Sequence, residues 1–165
     1  MLRLELTLAT VGVDGAASAR TVSLKEVDGR GFIFTSQHEG PKGREMQIEP
    51  RVALVFYWPS QGRQVRVTGL AEPLPHEESV VYFQARSQAM RRMLQVSTQS
   101  QPVQDRAALE EALAHTPSDA ERHAWGGYVV RPRTIEFWQG QADRLHDRFL
   151  YRMHESGWEV TRLVS

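Results

Sequence analysis

The stretch ARTVSLKEVDGRGFIFTSQ, residues 19–37, contains two segments of β character separated by a turn signal. The signal is DGRG, in which Asp28-Gly29 is typical of tight hairpin turns because both residues tolerate a positive φ angle. The flanking segments ARTVSLKEV and GFIFTSQ are therefore predicted to be antiparallel strands. We expect the chain to be built around an antiparallel sheet.

Further strands are predicted on both sides of this hairpin. Leucines at positions 2, 4, 6 and 8 alternate with polar residues, as in a strand with one buried face, and VDGAAS (13–18) supplies the next turn. Downstream, RVALVFYW (51–58) and RQVRVTGLAEPL (63–74) have the same character and are joined across residues 59–62. The first 74 residues thus predict a run of five strands.

The pattern changes after residue 74 and returns to β character near the C-terminus. PHEESVVYFQARSQAMRRMLQ (75–95) predicts a helix from about Glu77 into the low 90s, and QDRAALEEALAHT (104–116) predicts a second, short helix. Residues 126–140, 146–154 and 157–165 again resemble strands. The prediction is a mainly β protein with peripheral helices, a closed or split antiparallel barrel and not a doubly wound sheet, in a single domain over residues 1–165.

The composition argues against several classes of function. Lys and Arg together number 20, as do Asp and Glu, so no net field favours nucleic acid as a partner. There is no cysteine, and the six histidines lack the helical spacing of a zinc site, so no metal is expected. No segment approaches the roughly 18 apolar residues of a membrane span, and the N-terminus does not resemble a signal peptide. A cytoplasmic protein with no membrane partner is predicted.

The stretch QADRLHDRFLYR, residues 141–152, has Arg144, His146 and Arg148 at every second position. On a strand this spacing puts all three side chains on one face. Such a row of donors suits an anion or an electron-rich ring. The alternative is a solvated edge strand with ordinary surface charges.

Other donors are spread along the chain. They are Arg20 and Lys25 at the two ends of one strand, Lys42 at the start of a short helical stretch KGREMQ, Gln64 and Arg66 on one strand face, and Tyr82 and Arg86 four apart on a helix. Each alone could be a surface lysine, a snorkelling arginine or a capping glutamine. Together they could form phosphate sites, since phosphates are held by several convergent donors.

Four segments of the chain resemble the pyridoxamine/pyridoxine 5′-phosphate oxidases in order and spacing. They are residues 9–36, 42–72, 125–152 and 157–165. The most specific part of the resemblance is IEFWQG followed by RLHDRF. The resemblance implies a split antiparallel β-barrel of Greek-key type. It also implies a homodimer that binds FMN in clefts between its subunits. The implied reaction oxidises pyridoxamine or pyridoxine 5′-phosphate to pyridoxal 5′-phosphate with dioxygen. It releases hydrogen peroxide, and ammonia from the amine.

The resemblance also implies roles for individual residues. The cofactor-binding residues implied by it are Arg20, Lys25, Thr35, Ser36, Lys42, Gln64, Gln99, Ser100, Trp138 and Arg148. The substrate phosphate would be held by Lys25, Tyr82 and Arg86. Arg144 and His146 would bind and orient the pyridine, and they are the implied catalytic residues.

Some positions depart from the family pattern. Met90 stands where a hydroxyl residue usually completes the substrate-phosphate site, and a thioether cannot donate a hydrogen bond. Thr35-Ser36 and Pro41 also differ from the usual residues at the flavin phosphate. The family's N-terminal helical segment is expected to be absent.

Three other interpretations stay open at this point. One is a phenazine-biosynthesis-type flavin oxidase, which Met90 favours and Lys25, Tyr82 and Arg86 disfavour. The second is a non-catalytic flavin- or vitamer-binding barrel, and the third is a barrel with no cofactor.

Overall fold

The computed structural model describes residues 4–96, 99–117 and 124–165, which form eight strands and four α-helices. The strands are β1 (Glu5–Val11), β2 (Ala17–Asp28), β3 (Gly31–Gln37), β4 (Arg51–Trp58), β5 (Arg63–Pro73), β6 (Trp125–Gln139), β7 (Asp147–His154) and β8 (Gly157–Arg162). The helices are α1 (Pro41–Ile48), α2 (His76–Gln84), α3 (Gln88–Val96) and α4 (Arg106–Ala114). None of these helices is long and apolar enough to cross a membrane.

The strands form one antiparallel sheet in the order β3-β2-β1-β4-β5-β6-β7-β8. A further pairing of β3 with β6 closes the first six strands of this order into a barrel. Strands β1 to β3 follow one another as hairpins and β4 returns beside β1, which is a Greek key. The predicted fold class, a mainly β antiparallel barrel with peripheral helices, is confirmed.

Strand β6 belongs both to the barrel and to the extension beyond it. Its first residues pair with β3, whereas residues 134–139 pair with β7, which in turn pairs with β8. The β7–β8 hairpin therefore extends outward from the barrel wall.

The barrel interior is filled by apolar side chains that alternate along the strands, as period-two patterning predicts. Phe34 and Tyr128 stack inside it with their ring centroids 5.5 Å apart. A smaller cluster of Ile33, Leu74 and Val129 lies outside the barrel, and the ring of Tyr82 packs against it. This second cluster attaches α2 to the barrel.

The predicted β2–β3 hairpin is present, but the positive φ angle of its turn lies at a different residue from the one expected. The side chain of Asp28 accepts hydrogen bonds from the backbone N–H groups of Arg30 and Gly31. The positive φ angle, 145°, is at Gly31 and not at Asp28 or Gly29. A Cβ at Gly31 would lie 2.0 Å from the carbonyl oxygen of Val130, so close approach to β6 requires glycine here.

The expected single helix from Glu77 into the low 90s is wrong. Helix α2 ends at Gln84 and α3 begins at Gln88. Phe83 packs against Trp125, and Arg86 lies over the same ring, 4.5 Å from its centroid. These contacts with β6 hold the segment between the helices against the barrel. Tyr82 and Arg86 therefore do not share one helix.

Candidate active site

A cavity of about 940 Å³ is lined by β2, β3, the start of α1, the α2–α3 junction and the start of β6. Its volume falls within the range of roughly 300–1,000 Å³ that is usual for ligand sites. It brings together six of the predicted site residues, Lys25, Thr35, Ser36, Lys42, Arg86 and Gln99. Three of these are cations, so the cavity suits an anionic ligand.

Lys25 reaches the cavity through an irregularity in β2. Leu24 pairs with Phe34 and Glu26 pairs with Ile33, so Lys25 is an extra residue between two consecutive pairs. Such a β-bulge bends the strand and redirects the side chains beside it. Lys25 consequently lines the cavity.

Lys42 and Arg20 form the more enclosed cationic region. Lys42 is buried, and its ammonium donates to the side-chain oxygen of Gln99. Burial, together with the nearby positive charge of Arg20, lowers the pKa of Lys42. A buried cation beside a second cation favours a bound anion.

Arg20 does not line the cavity itself, and its guanidinium is held by neighbouring oxygens. It donates to Ser18 at 2.7 Å, to Glu45 at 2.9 Å, and to Thr10. Burial opposes ionisation of Glu45, but hydrogen bonds from Thr10 and Arg20 outweigh it, so the Glu45 pKa lies below its usual value. Sequence reasoning missed Glu45, although it lies three residues after Lys42 on α1, a spacing that puts both on one helical side.

Arg86 and two methionines form another part of the wall. The Arg86 guanidinium donates to the Thr35 hydroxyl at 3.0 Å and lies on the Trp125 ring, a cation–π contact. Met90 and Met93 also line the cavity. The wall therefore combines a fixed cation with soft, apolar side chains.

Tyr82 is not part of the cavity lining. Its hydroxyl donates to a carboxylate oxygen of Glu26 at 2.9 Å. Burial and this hydrogen bond raise the pKa of Tyr82 to about 12. Glu26 was not among the predicted site residues.

A second group of predicted residues lies together on β5, β6 and the start of β7. Gln64 is the cross-strand partner of Trp138, and Trp138 is the partner of Arg148. The ring of His146 lies 4.9 Å from the ring of Trp138. Directly opposite residues of an antiparallel pair project to the same side, so these side chains form one face, the β5–β7 face.

The buried carboxylate of Glu136 holds the arginines of the β5–β7 face. It accepts from Arg148 at 2.9 Å and from Arg66 at 3.2 Å. Sequence reasoning missed Glu136, although it lies two residues before Trp138 on the same strand. Arg148 also donates to the backbone oxygen of Val164 at 2.9 Å.

The expected row of Arg144, His146 and Arg148 on one strand face is wrong. Strand β7 begins only at Asp147, and Arg144 lies in the preceding turn with a φ angle of 68°. The turn is held by the imidazole Nδ1 of His146, which accepts from the backbone N–H of Gln141 at 3.0 Å. Arg144 is therefore exposed, away from the strand. Ser100, also with a positive φ, lies in another exposed turn.

Most of the predicted residues thus fall into two groups within one chain, whereas Arg20, Tyr82, Ser100 and Arg144 belong to neither group. The residues of the β5–β7 face do not line this cavity. Among the described ranges, no group of three or more His, Asp or Glu side chains could hold a metal ion.

Two family models match the chain. The model described as pyridoxamine 5′-phosphate oxidase matches residues 6–116, and the pyridoxine 5′-phosphate oxidase C-terminal dimerisation region matches residues 125–165. The pyridoxine/pyridoxamine 5′-phosphate oxidase of Rubrobacter xylanophilus is 46% identical over 164 residues, covering 96% of this chain and 76% of its own length. That of Azotobacter vinelandii is 44% identical over 165 residues, with 96% and 77% covered.

Solved structures show the same likeness. PhzG from Burkholderia lata 383, crystallised with tetrahydrophenazine-1-carboxylic acid, superposes with a TM-score of 0.92 at 32% identity, covering 99% of this chain and 83% of PhzG. An FMN-binding protein of Nostoc punctiforme, related to pyridoxamine 5′-phosphate oxidase, shares the fold with a TM-score of 0.83 at 16% identity, with 98% and 88% covered. Given the identity and coverage of its oxidase relatives, this chain is an oxidoreductase that belongs to the pyridoxamine 5′-phosphate oxidase family.

Proposed function

We propose that the protein oxidises pyridoxamine or pyridoxine 5′-phosphate to pyridoxal 5′-phosphate, with FMN as cofactor and dioxygen as final acceptor. Hydrogen peroxide is released, and ammonia when the amine is oxidised. The observation that carries the proposal is the cavity of about 940 Å³ in which Lys25, Lys42 and Arg86 converge. Three cations around one cavity suit ligands that carry phosphate groups.

The residues fit a flavin nucleotide. Lys42 and Arg20 lie close enough for their charges to repel, and a phosphate between them would offset that repulsion. The hydroxyls of Thr35 and Ser36 supply further polar groups in the same cavity, and the amide of Gln99 contacts Lys42. FMN, when bound, would supply the hydride acceptor that no side chain of the protein can provide.

The isoalloxazine ring would be held by the β5–β7 face of a second subunit. This face carries Gln64, Trp138 and Arg148, which offer an amide, an aromatic surface and a cation. Its residues Trp138 and Arg148 lie within the matched dimerisation region. In a homodimer, the face of one copy would complete the cavity of the other, so that the active site is shared.

The substrate phosphate would be bound by Lys25 and Arg86, with Tyr82 as a further donor. Arg144 and His146 would come from the partner's β6–β7 turn and orient the pyridine ring. Because hydride transfer requires the reacting atoms to be about 3–3.5 Å apart, positioning by these side chains is the main contribution of the protein.

The second candidate function is oxidation of a phenazine precursor. It is favoured by the thioether walls of Met90 and Met93 and by the likeness to PhzG, which was crystallised with a tricyclic acid. The presence of Lys25 and Arg86 in the same cavity favours the phosphorylated vitamer instead.

An absorbance experiment tests the proposal. The purified protein is expected to be yellow, and anaerobic pyridoxamine 5′-phosphate should bleach the flavin band, with peroxide released when oxygen is readmitted. Bleaching by a tetrahydrophenazine carboxylic acid alone would favour the second candidate. A yellow protein that neither compound bleaches would be a carrier or sensor, and colourless protein that binds no added FMN would refute the flavin site.

A further inference from the structure

The side chain of Gln37, at the end of β3, is buried and lines the cavity. Its Oε1 accepts a hydrogen bond from the backbone N–H of Gln99 at 2.6 Å. A backbone N–H can only donate, so Gln37 must present its carbonyl oxygen to this group. The side chain of Gln37 therefore holds the backbone of residue 99 at the end of β3.

Gln99 in turn contacts Lys42. Its side-chain Oε1 accepts a hydrogen bond from the Lys42 ammonium. Gln99 also lies against the N-terminus of α1, where a Cβ at Gly40 would be 3.3 Å from the same oxygen. All three polar residues line the cavity, and their hydrogen bonds run from Gln37 through Gln99 to Lys42.

Within this chain of hydrogen bonds, Gln37 is the residue fixed by the barrel. It pairs with Trp125 of β6, and its carbonyl oxygen would lie 2.6 Å from a Cβ at Gly43, so α1 also packs closely against it. Gln99 lies in a turn, outside the helices and strands. The bond to Gln37 consequently ties a turn residue to a rigid strand.

The position of Gln99 matters for the charge of Lys42. An ammonium group has three protons, and Gln99 accepts one of them, which helps to direct the other two. The acceptor oxygen also favours the charged form of the lysine, which burial disfavours. Without this acceptor, a buried ammonium would be less well oriented toward an anion in the cavity.

We infer that Gln37 is a positioning residue for the cofactor phosphate, because it holds Gln99 where that residue orients Lys42. The inference rests on the proposed function, since it takes the FMN phosphate to lie beside Lys42. It assigns to Gln37 an effect on the affinity for FMN and no part in the chemical step.

The test measures the Kd of FMN in serial dilutions of the holoenzyme, in which released flavin becomes fluorescent. Gln37→Met removes the acceptor at nearly constant side-chain volume and should raise the Kd about fivefold, the effect of one lost hydrogen bond. Gln99→Met removes the acceptor of Lys42 and should raise the Kd by a similar factor. In the Gln99→Met background, Gln37→Met should change the Kd less than about twofold. At saturating FMN, kcat should change less than about twofold in every variant.

Amide hydrogen exchange separates this role from a general structural defect. In the full chain stripped of flavin, the N–H of residue 99 should exchange about fivefold faster in Gln37→Met. Gln99→Met keeps this N–H and its bond to Gln37, so exchange at residue 99 should stay slow although the FMN affinity falls. Gln47→Met, at an exposed position on α1, is the matched control and should change neither the exchange nor the Kd.

An unchanged FMN Kd in Gln37→Met would overturn the inference. Effects of the two substitutions that multiply would also overturn it, because Gln37 would then act independently of Gln99. If Gln37→Met does not fold, Gln37→Asn, whose side chain is one methylene shorter, is judged by the same criteria. Oxidation of pyridoxamine 5′-phosphate by the natural holoenzyme is measured separately, and its absence in protein that binds FMN would refute the proposed reaction but not the role of Gln37.

Discussion

Burial of Lys42 disfavours its charged form, and a bound anion can offset this loss of free energy. Only 6% of its surface is exposed, and burial and Arg20 both disfavour its charged form. Its hydrogen bond to Gln99 satisfies one of the three ammonium protons. A bound phosphate would stabilise the charge of both Lys42 and Arg20, which is the basis for assigning the flavin phosphate to this region.

Substitution of Arg144 or His146 tests the proposed contact with the substrate ring. Arg144→Ala and His146→Ala should each lower kcat/KM for the vitamer by about 10- to 100-fold, since the pyridine would lose an orienting contact. Bound flavin, measured from the absorbance ratio of the purified protein, should be retained. Arg152→Ala, an exposed position further along β7, is the control and should keep full activity. Loss of flavin in step with turnover would contradict the substrate role of the pair.

At the scale of elements, the β2–β3 hairpin determines much of the cavity. Its bulge directs Lys25, and β3 supplies Thr35 and Ser36. Its turn lies against β6 at Gly31, where no other residue fits without a shift of the backbone. The cavity thus depends on how closely β3 approaches β6.

Gly31→Ala tests this close approach. The substitution should lower the free energy of unfolding by about 2–4 kcal/mol, because it adds a Cβ against the Val130 oxygen at a strained φ angle. Urea denaturation measures the change. Gly29→Ala, in the same turn, meets no atom within 4 Å and should cost less than about 1 kcal/mol. Equal losses in the two variants would refute the packing argument.

His38, in the loop after β3, is expected to make the stability of the protein depend on pH. His38 bonds Ala124 through its backbone and Tyr128 through its ring, at 2.7 and 2.8 Å. Burial lowers the pKa of His38 below 6.5, so below that pH the unfolded chain takes up a proton that the folded chain does not. His38 therefore reduces stability as the pH falls from 6.5 toward its folded pKa, by at most about 1.4 kcal/mol per pH unit.

The measurement is urea unfolding between pH 7.5 and 5, with buffers spaced about half a unit apart. His38→Gln should flatten the decline of the free energy of unfolding in this window. Identical slopes for the natural protein and His38→Gln would show that His38 is not buried as described.

For the whole molecule, the central feature is that the predicted site residues of the β5–β7 face do not line the cavity that holds the other group. If the active site is shared, a cavity variant and a β5–β7 variant should complement each other. Lys42→Ala and Arg148→Ala homodimers should each be nearly inactive. Co-expressed subunits carrying two different tags should recover about a quarter of the natural activity, because half of the dimers are mixed and each has one intact site.

Thermal unfolding of each parent homodimer is the control for this experiment, since Arg148 is bonded to Glu136 and its loss could disturb the sheet. Purification through both tags should give mixed dimers with about half the natural activity. Activity no higher than that of the parents would mean that each subunit contains a complete site by itself.

The sequence by itself determined the strands, the hairpin at residues 28–31 and the short helix at 106–114, because periodicity and turn chemistry depend on neighbouring residues. It also indicated the donors of the cavity and the shared face of Gln64 and Arg66. Only the tertiary structure decided the closure of β3 on β6, the end of α2 at Gln84, and the partners of Tyr82 and Arg148. Tyr82 and Glu26 are 56 residues apart, and Arg86 and Thr35 are 51 apart. Contacts over such separations form only when the sheet closes, so local sequence patterns do not encode them.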